Sequence, residues 1–196
     1  MVVRSVALVA VFSSPRALAD EGWTAIGTKN GVAYEKRAVS GSKFLEYRAT
    51  TQVSLAPPQV LQTMWKVLTD LPPSEVKSRR FLKRAGDEVV VHDHVNAPVV
   101  SDREVVIRFH KAVRPDGIEV RFESTDALAP PPDPKYVRVP ALRGAWILVA
   151  VPGGTRLTFV CYSDPGGSVP AFMIRGAQAD HVAADVERML SFLRRG

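Results

Sequence analysis

The chain is poor in the features that most quickly assign a function. It has one cysteine, Cys161, so it forms no internal disulfide and holds no multi-cysteine metal centre; an oxidising compartment is permitted but not indicated. No run reaches the eighteen or more apolar residues that a membrane-spanning helix needs. There is no Gly-x-Ser-x-Gly elbow, no His-Glu-x-x-His and no phosphate-cradling glycine loop. Gly153-Gly154 and Gly166-Gly167 are turn glycines without the strand-loop-helix context of a nucleotide site. Internal repeats, low-complexity tracts and long linkers are also missing. No motif for nucleic acid stands out, and the helical segments are apolar-faced rather than basic, so nucleic acid is not an expected partner.

The first nineteen residues have the pattern of a secretory signal. Arg4 is a positive leader, Ser5 to Phe12 a short apolar core, and Ala17-Leu18-Ala19 a small-x-small cleavage pattern before Asp20. The apolar core is short, so an internal anchor or a buried strand is the alternative. Removing residues 1–19 takes Arg4 and Arg16 away and leaves 177 residues at a formal charge of +4, against +6 for the whole chain. That length, with 46% apolar residues, fits one domain, 20–196, with a sizeable core. The expectation is a periplasmic or secreted protein, monomeric by default.

From Trp23 the pattern gives strands over Val32–Val39 and Phe44–Val53, then a helix opened by Pro57-Pro58 and closed by Pro72-Pro73. Lys77, Arg79, Arg80, Lys83 and Arg84 follow with little apolar pattern, either as a solvated face or as a docking point for an anionic surface in transient membrane contact. In Glu88–Val95 and Arg103–Lys111 the odd positions form the more apolar face. That puts Asp93 and Arg103 inside, about one step apart across the ladder if the hairpin closes around Pro98 and Val99. His92, His94 and His110 fall on the other, polar face. A His-x-His pair is a metal pattern, but exposed histidines on a solvated face are the commoner case, so no metal and no cofactor is expected.

Gly117–Ser124 alternates as another half-buried strand. Ala127–Pro134, with four prolines, is a stiff loop and a candidate lid over a cavity mouth. Strands over Ala145–Val151 and Arg156–Tyr162 flank the Pro152-Gly153-Gly154 turn, and one long helix runs from about Ser168. Its stripe is Phe172, Gly176, Ala179, Ala183, Val186, Leu190 and Leu193. The small residues in that stripe either let the helix pack closely on a sheet or leave room for an apolar ligand.

Gly144-Ala145-Trp146, the strand Leu157–Tyr162 and Asp164-Pro165-Gly166-Gly167-Ser168-Val169-Pro170 before the last helix resemble the C-terminal part of a START domain, the steroidogenic-acute-regulatory-protein-related lipid-transfer family. Ser101-Asp102-Arg103-Glu104-Val105-Val106 resembles that family's Ser-x-Arg-Asp-Phe-Val type run, with Glu104 in place of Asp and Val105 in place of an aromatic residue. The resemblance implies an α+β helix-grip fold, a curved antiparallel sheet wrapped around a long C-terminal helix, with a lipid or sterol-like small molecule between them. It implies binding for transport or sequestration rather than an enzyme. The alternative is a polyketide aromatase/cyclase-like use of the same cavity, with Asp93 as general base. On this reading Asp93 and Arg103 are polar anchors, unless Arg103 only ties its hairpin to a neighbouring loop. Val91, Ile107, Phe109, Val120, Phe122, Phe159, Phe172, Met173 and Gly176 are the expected apolar wall.

Overall fold

Alternating strand segments in this chain close a sheet whose two faces are covered by different means. The computed structural model describes residues 22–97, 100–168 and 171–195, the last stretch without the side chains of 171–175. The signal pattern of residues 1–19 lies outside the described residues.

Among the described residues, ten strands and two helices follow in the order β1 (Thr24–Lys29), β2 (Val32–Ala38), β3 (Leu45–Val53), α1 (Pro57–Asp70), β4 (Val76–Ala85), β5 (Glu88–Val95), β6 (Arg103–Arg114), β7 (Gly117–Ser124), β8 (Val137–Arg138), β9 (Ala141–Val151), β10 (Gly154–Asp164) and α2 (Ala171–Leu193). The strands form one sheet in the order β1-β2-β3-β10-β9-β7-β6-β5-β4, and β8 pairs in parallel with β6. The pairing of β3 with β10 joins the first hairpin to the last, and α1 carries the chain from β3 across to the far edge at β4. This is the α+β helix-grip arrangement, an antiparallel sheet with a long C-terminal helix.

The periodicities show why these segments take these forms. In α1, Pro57 and Pro58 occupy the first turn, where no intrahelical N–H is needed, and the Gln59 side chain accepts a hydrogen bond from the Ala56 N–H at 3.1 Å. Val60, Met64 and Val67, spaced by about one turn, are fully buried and cap one end of the sheet's inner face. α1 packs on β7, β9, β10 and α2. α2 lies over β3 and β10, with Val182, Val186, Met189, Leu190 and Leu193 buried.

β7 stops opposite Ile107. Beyond that point β8 takes up the free edge of β6, with Arg103 beside Val137 and Glu104 beside Arg138. The proline-rich stretch thereby crosses the outer face of β5 and β6. The Asp133 N–H donates to Glu104 Oε1 at 3.2 Å, and Arg138 donates to the Pro130 carbonyl at 3.0 Å. The stiff loop is present, but its candidate role as a lid over a cavity mouth is corrected: this segment covers the back of the sheet. Glu104 and His92, expected in solvent, are buried there.

Candidate functional site

The inner face of the sheet, the end of α1 and one side of α2 line a cavity of about 680 Å³. Ligand pockets of a few hundred to about 1,000 Å³ are the common size. Its floor is aromatic. Trp146 stacks on Phe159 with ring centroids 4.3 Å apart, Phe159 on Phe122 at 5.9 Å, and Phe122 meets Phe109 at 6.4 Å. Phe122 of β7 stands opposite Gly144 of β9, and a Cβ at Gly144 would lie 2.3 Å from the Phe122 ring and 2.2 Å from the Val160 carbonyl oxygen. The missing side chain lets the Phe122 ring lie across β9 towards Phe159, so the glycine shapes the floor.

Of the residues expected at the wall, Ile107, Phe109, Phe122 and Phe159 line the cavity. Val91 and Val120 face inward but are wholly buried and do not line it; the packed core that includes Val60, Met64 and Val67 of α1 fills their end of the sheet. Gly176 is exposed, with open space where its Cβ would be, and does not line the cavity either. Phe172 and Met173 lie outside the described side chains. The helix instead presents Gln178, Val182, Asp185 and Met189, spaced four, three and four residues apart, along one side. The stripe read through Gly176 and Ala183 is thus turned away from the ligand space.

Asp93 and Arg103 both line the cavity but do not pair. The register places Asp93 opposite Val105 and Val95 opposite Arg103. The partner of Asp93 is Arg79, whose Nε and Nη2 donate to its two oxygens at 2.8 and 2.6 Å. Arg79 Nη1 donates to the carbonyls of Leu68 and Thr69, at 2.7 and 3.0 Å, where α1 ends. The pair is buried, with side-chain exposures of 7% and 2%. Every group in it is hydrogen-bonded, which is the condition for a buried ion pair to persist. Arg103 donates to the carbonyls of Pro165 and Gly166, both at 3.3 Å, and to that of Ser101. This is the tie to a neighbouring loop, and burial lowers the guanidinium's affinity for its proton.

Sequence reading missed Arg79 because β4 contains two register shifts, between Val76 and Ser78 and between Phe81 and Lys83, which break the alternation. It also missed Asp185 and Gln178, although their spacing with Val182 and Met189 was a usable signal. Burial raises the Asp185 carboxyl to about 6, opposed by the positive charges of His181 and Arg188 and assisted by Glu75. Gln178 Nε2 donates to the Ser163 carbonyl at 2.6 Å, leaving its Oε1 buried without a partner among the described residues. Cys161 also lines the cavity, and burial pushes its thiol well above the usual range, so it stays protonated.

The Asp185 shift has a stability consequence. The folded chain holds this proton more tightly than the unfolded chain, so the carboxyl's contribution is most favourable below about pH 4 and is lost as pH rises to about 6. The full loss is on the order of 2–3 kcal/mol. Asp185→Asn is expected to raise the unfolding midpoint at neutral pH, with the gain vanishing near pH 4. An equal gain at both pH values, by denaturant unfolding, would place the effect elsewhere.

A sequence profile for the START domain matches residues 4–195. The chain belongs to the START domain family. Among solved START-type structures, a STAR-related lipid transfer protein from Xanthomonas axonopodis superposes with a TM-score of 0.76 at 25% identity, covering 89% of this chain and 99% of that one. Human StAR-related lipid transfer protein 5 shares the fold at a TM-score of 0.73 and 16% identity, over 90% of this chain and 88% of its own. The uncharacterized protein PA1579 of Pseudomonas aeruginosa is 26% identical over 183 residues, 90% of this chain and 89% of its length. START membership and this cavity together point to hydrophobic ligand binding.

Proposed function

We propose that the chain binds a lipid or another hydrophobic small molecule in this cavity and carries or sequesters it. The observation that supports this most is the cavity itself, about 680 Å³ over an aromatic floor, with charged groups confined to particular points of its wall. The apolar part of the ligand lies against Phe109, Phe122, Trp146 and Phe159. Its polar end meets Asp93 with Arg79, Arg103, Asp185 and the free Gln178 oxygen. A hydroxyl-bearing headgroup suits the unpaired acceptor at Gln178 and a carboxyl that titrates near neutrality. Entry takes place by movement of α2 or a neighbouring loop during transient contact with a membrane surface, and the working unit is a monomer. Export to the periplasm or beyond rests on the pattern of residues 1–19.

The enzyme reading has less to stand on. Both oxygens of Asp93 are engaged by Arg79, so its use as a general base requires breaking that pair first.

The test uses Trp146, which lines the cavity. Vesicles carrying a lipid with a brominated acyl chain should quench the chain's fluorescence on transfer, and Trp146→Phe should remove most of that quenching, leaving Trp23 and Trp65 as internal references. Quenching that is unchanged in Trp146→Phe would put the lipid outside the cavity.

A further inference from the structure

The reverse face of β5 and β6 carries side chains that lipid binding does not use. Asp93 points to the cavity, so His92 and His94, one residue to either side of it, point away. Glu104 stands directly across the ladder from His94. The ligand-type atoms of His92, His94 and Glu104 all lie within 4.8 Å of one another. His92 Nε2 is 3.0 Å from Glu104 Oε2. The other carboxylate oxygen, Oε1, accepts from Arg138 Nε and Nη2 at 3.1 and 3.0 Å and from the Asp133 N–H at 3.2 Å. The His94 ring is held by stacking on Tyr136 at 4.2 Å and by a 3.2 Å hydrogen bond between Nδ1 and Ser78 Oγ. Its Nε2 is buried and has no partner among the described residues.

A buried imidazole nitrogen without a partner is costly, because nothing replaces the water it has lost. We propose that His92, His94 and Glu104 form a binding site for a divalent transition metal ion of the zinc class. Two imidazoles and one carboxylate are a zinc donor set, with a fourth position open to water. Nitrogen donors favour zinc, nickel or copper over magnesium or calcium, which take oxygen. The surrounding contacts orient the donors: in the metal-binding tautomer Ser78 accepts from His94 Nδ1–H and Nε2 carries the lone pair, while Arg138 and Asp133 hold Glu104 by Oε1 and leave Oε2. His92 serves in the tautomer protonated on Nδ1. Bonds of about 2.0–2.2 Å in a tetrahedron set the donors roughly 3.2–3.6 Å apart, so the three close by about an ångström through side-chain rotation. His110, the third histidine of the sequence pattern, is exposed opposite Glu88 and takes no part. The covering segment from Ala127 to Val139 turns what reads in the sequence as a solvated face into an enclosed site.

The experiment uses the full chain, without a histidine tag and stripped by chelator, titrated with Zn²⁺ by calorimetry and with Co²⁺ by visible absorption. One ion per chain is expected, with the intense cobalt bands of four-coordination and a rise in thermal midpoint on adding Zn²⁺. His92→Ala and His94→Ala should each weaken Zn²⁺ binding by more than about tenfold, and His110→Ala should not. His94→Ala is the deciding variant, since His94 is only half-buried where His92 is buried, and its circular dichroism should match the native chain, whatever becomes of His92→Ala. No stoichiometric binding by the native chain, or binding undiminished in His94→Ala, overturns the proposal.

Discussion

Arg79→Leu is expected to lower the unfolding free energy by about 3–5 kcal/mol, the usual cost of stripping one partner from a buried ion pair. The side chain it removes satisfies both oxygens of Asp93 and two carbonyls at the end of α1. Without it, Asp93 is left as an uncompensated charge on the cavity wall, and α1 loses its tie to β4. Asp93→Leu alone should cost a similar amount by stranding the guanidinium. The double variant should recover much of the loss, because two apolar side chains leave no charge stranded. A remainder of about 1–3 kcal/mol should persist for the helix-end carbonyls that neither leucine can satisfy. Chemical denaturation of the four chains measures this coupling directly. Single substitutions costing less than about 1 kcal/mol would mean that the pair behaves as a solvated surface bridge.

The second large effect concerns the space itself. Cys161 faces the cavity from β10, across the ladder from Gly144 and two residues along the strand from Phe159. Cys161→Trp should fill the ligand space and reduce lipid uptake at least about tenfold, equivalent to about 1.4 kcal/mol or more. Stability should hold or rise, since the indole buries apolar surface in a volume that is otherwise open. A close-packed site would behave differently: the same substitution would overpack it and cost about 1–3 kcal/mol. Measuring unfolding and vesicle-to-protein transfer on one variant therefore separates an open cavity from a filled core.

Most of the secondary structure was legible because it rests on local patterns. The proline brackets of α1, the alternation of β7 and the Pro-Gly-Gly turn between β9 and β10 depend on residues within a few positions of one another. β1 was not legible, as all six of its residues are exposed and give no alternation. The sheet order was not legible either, because β3 meets β10 about a hundred residues away. The same limit governed the site. A buried charged pair was foreseen from Asp93, but its partner was assigned within the hairpin, whereas Arg79 arrives from an edge strand whose bulges hide its direction. Arg103 makes the loop tie and also lines the cavity, so the two readings set against each other in the sequence are not exclusive. The aromatic residues were easier, since Phe109, Phe122 and Phe159 sit on strands whose pairing has no register shift. On α2 the stripe through Ala179, Val186, Leu190 and Leu193 packs into the core as read, but the side that lines the cavity is the adjacent one, which the small residues did not mark. Only the packing of the helix on β3, β10 and α1 fixes that rotation.

Native mass spectrometry of the full chain purified from cells tests ligand binding most directly, followed by organic extraction of whatever is released. A single apolar adduct per chain, recovered in the extract and absent from Cys161→Trp, is the predicted result. A folded chain that flies at its bare mass, yields an empty extract and stays bare after incubation with mixed lipid vesicles would contradict it.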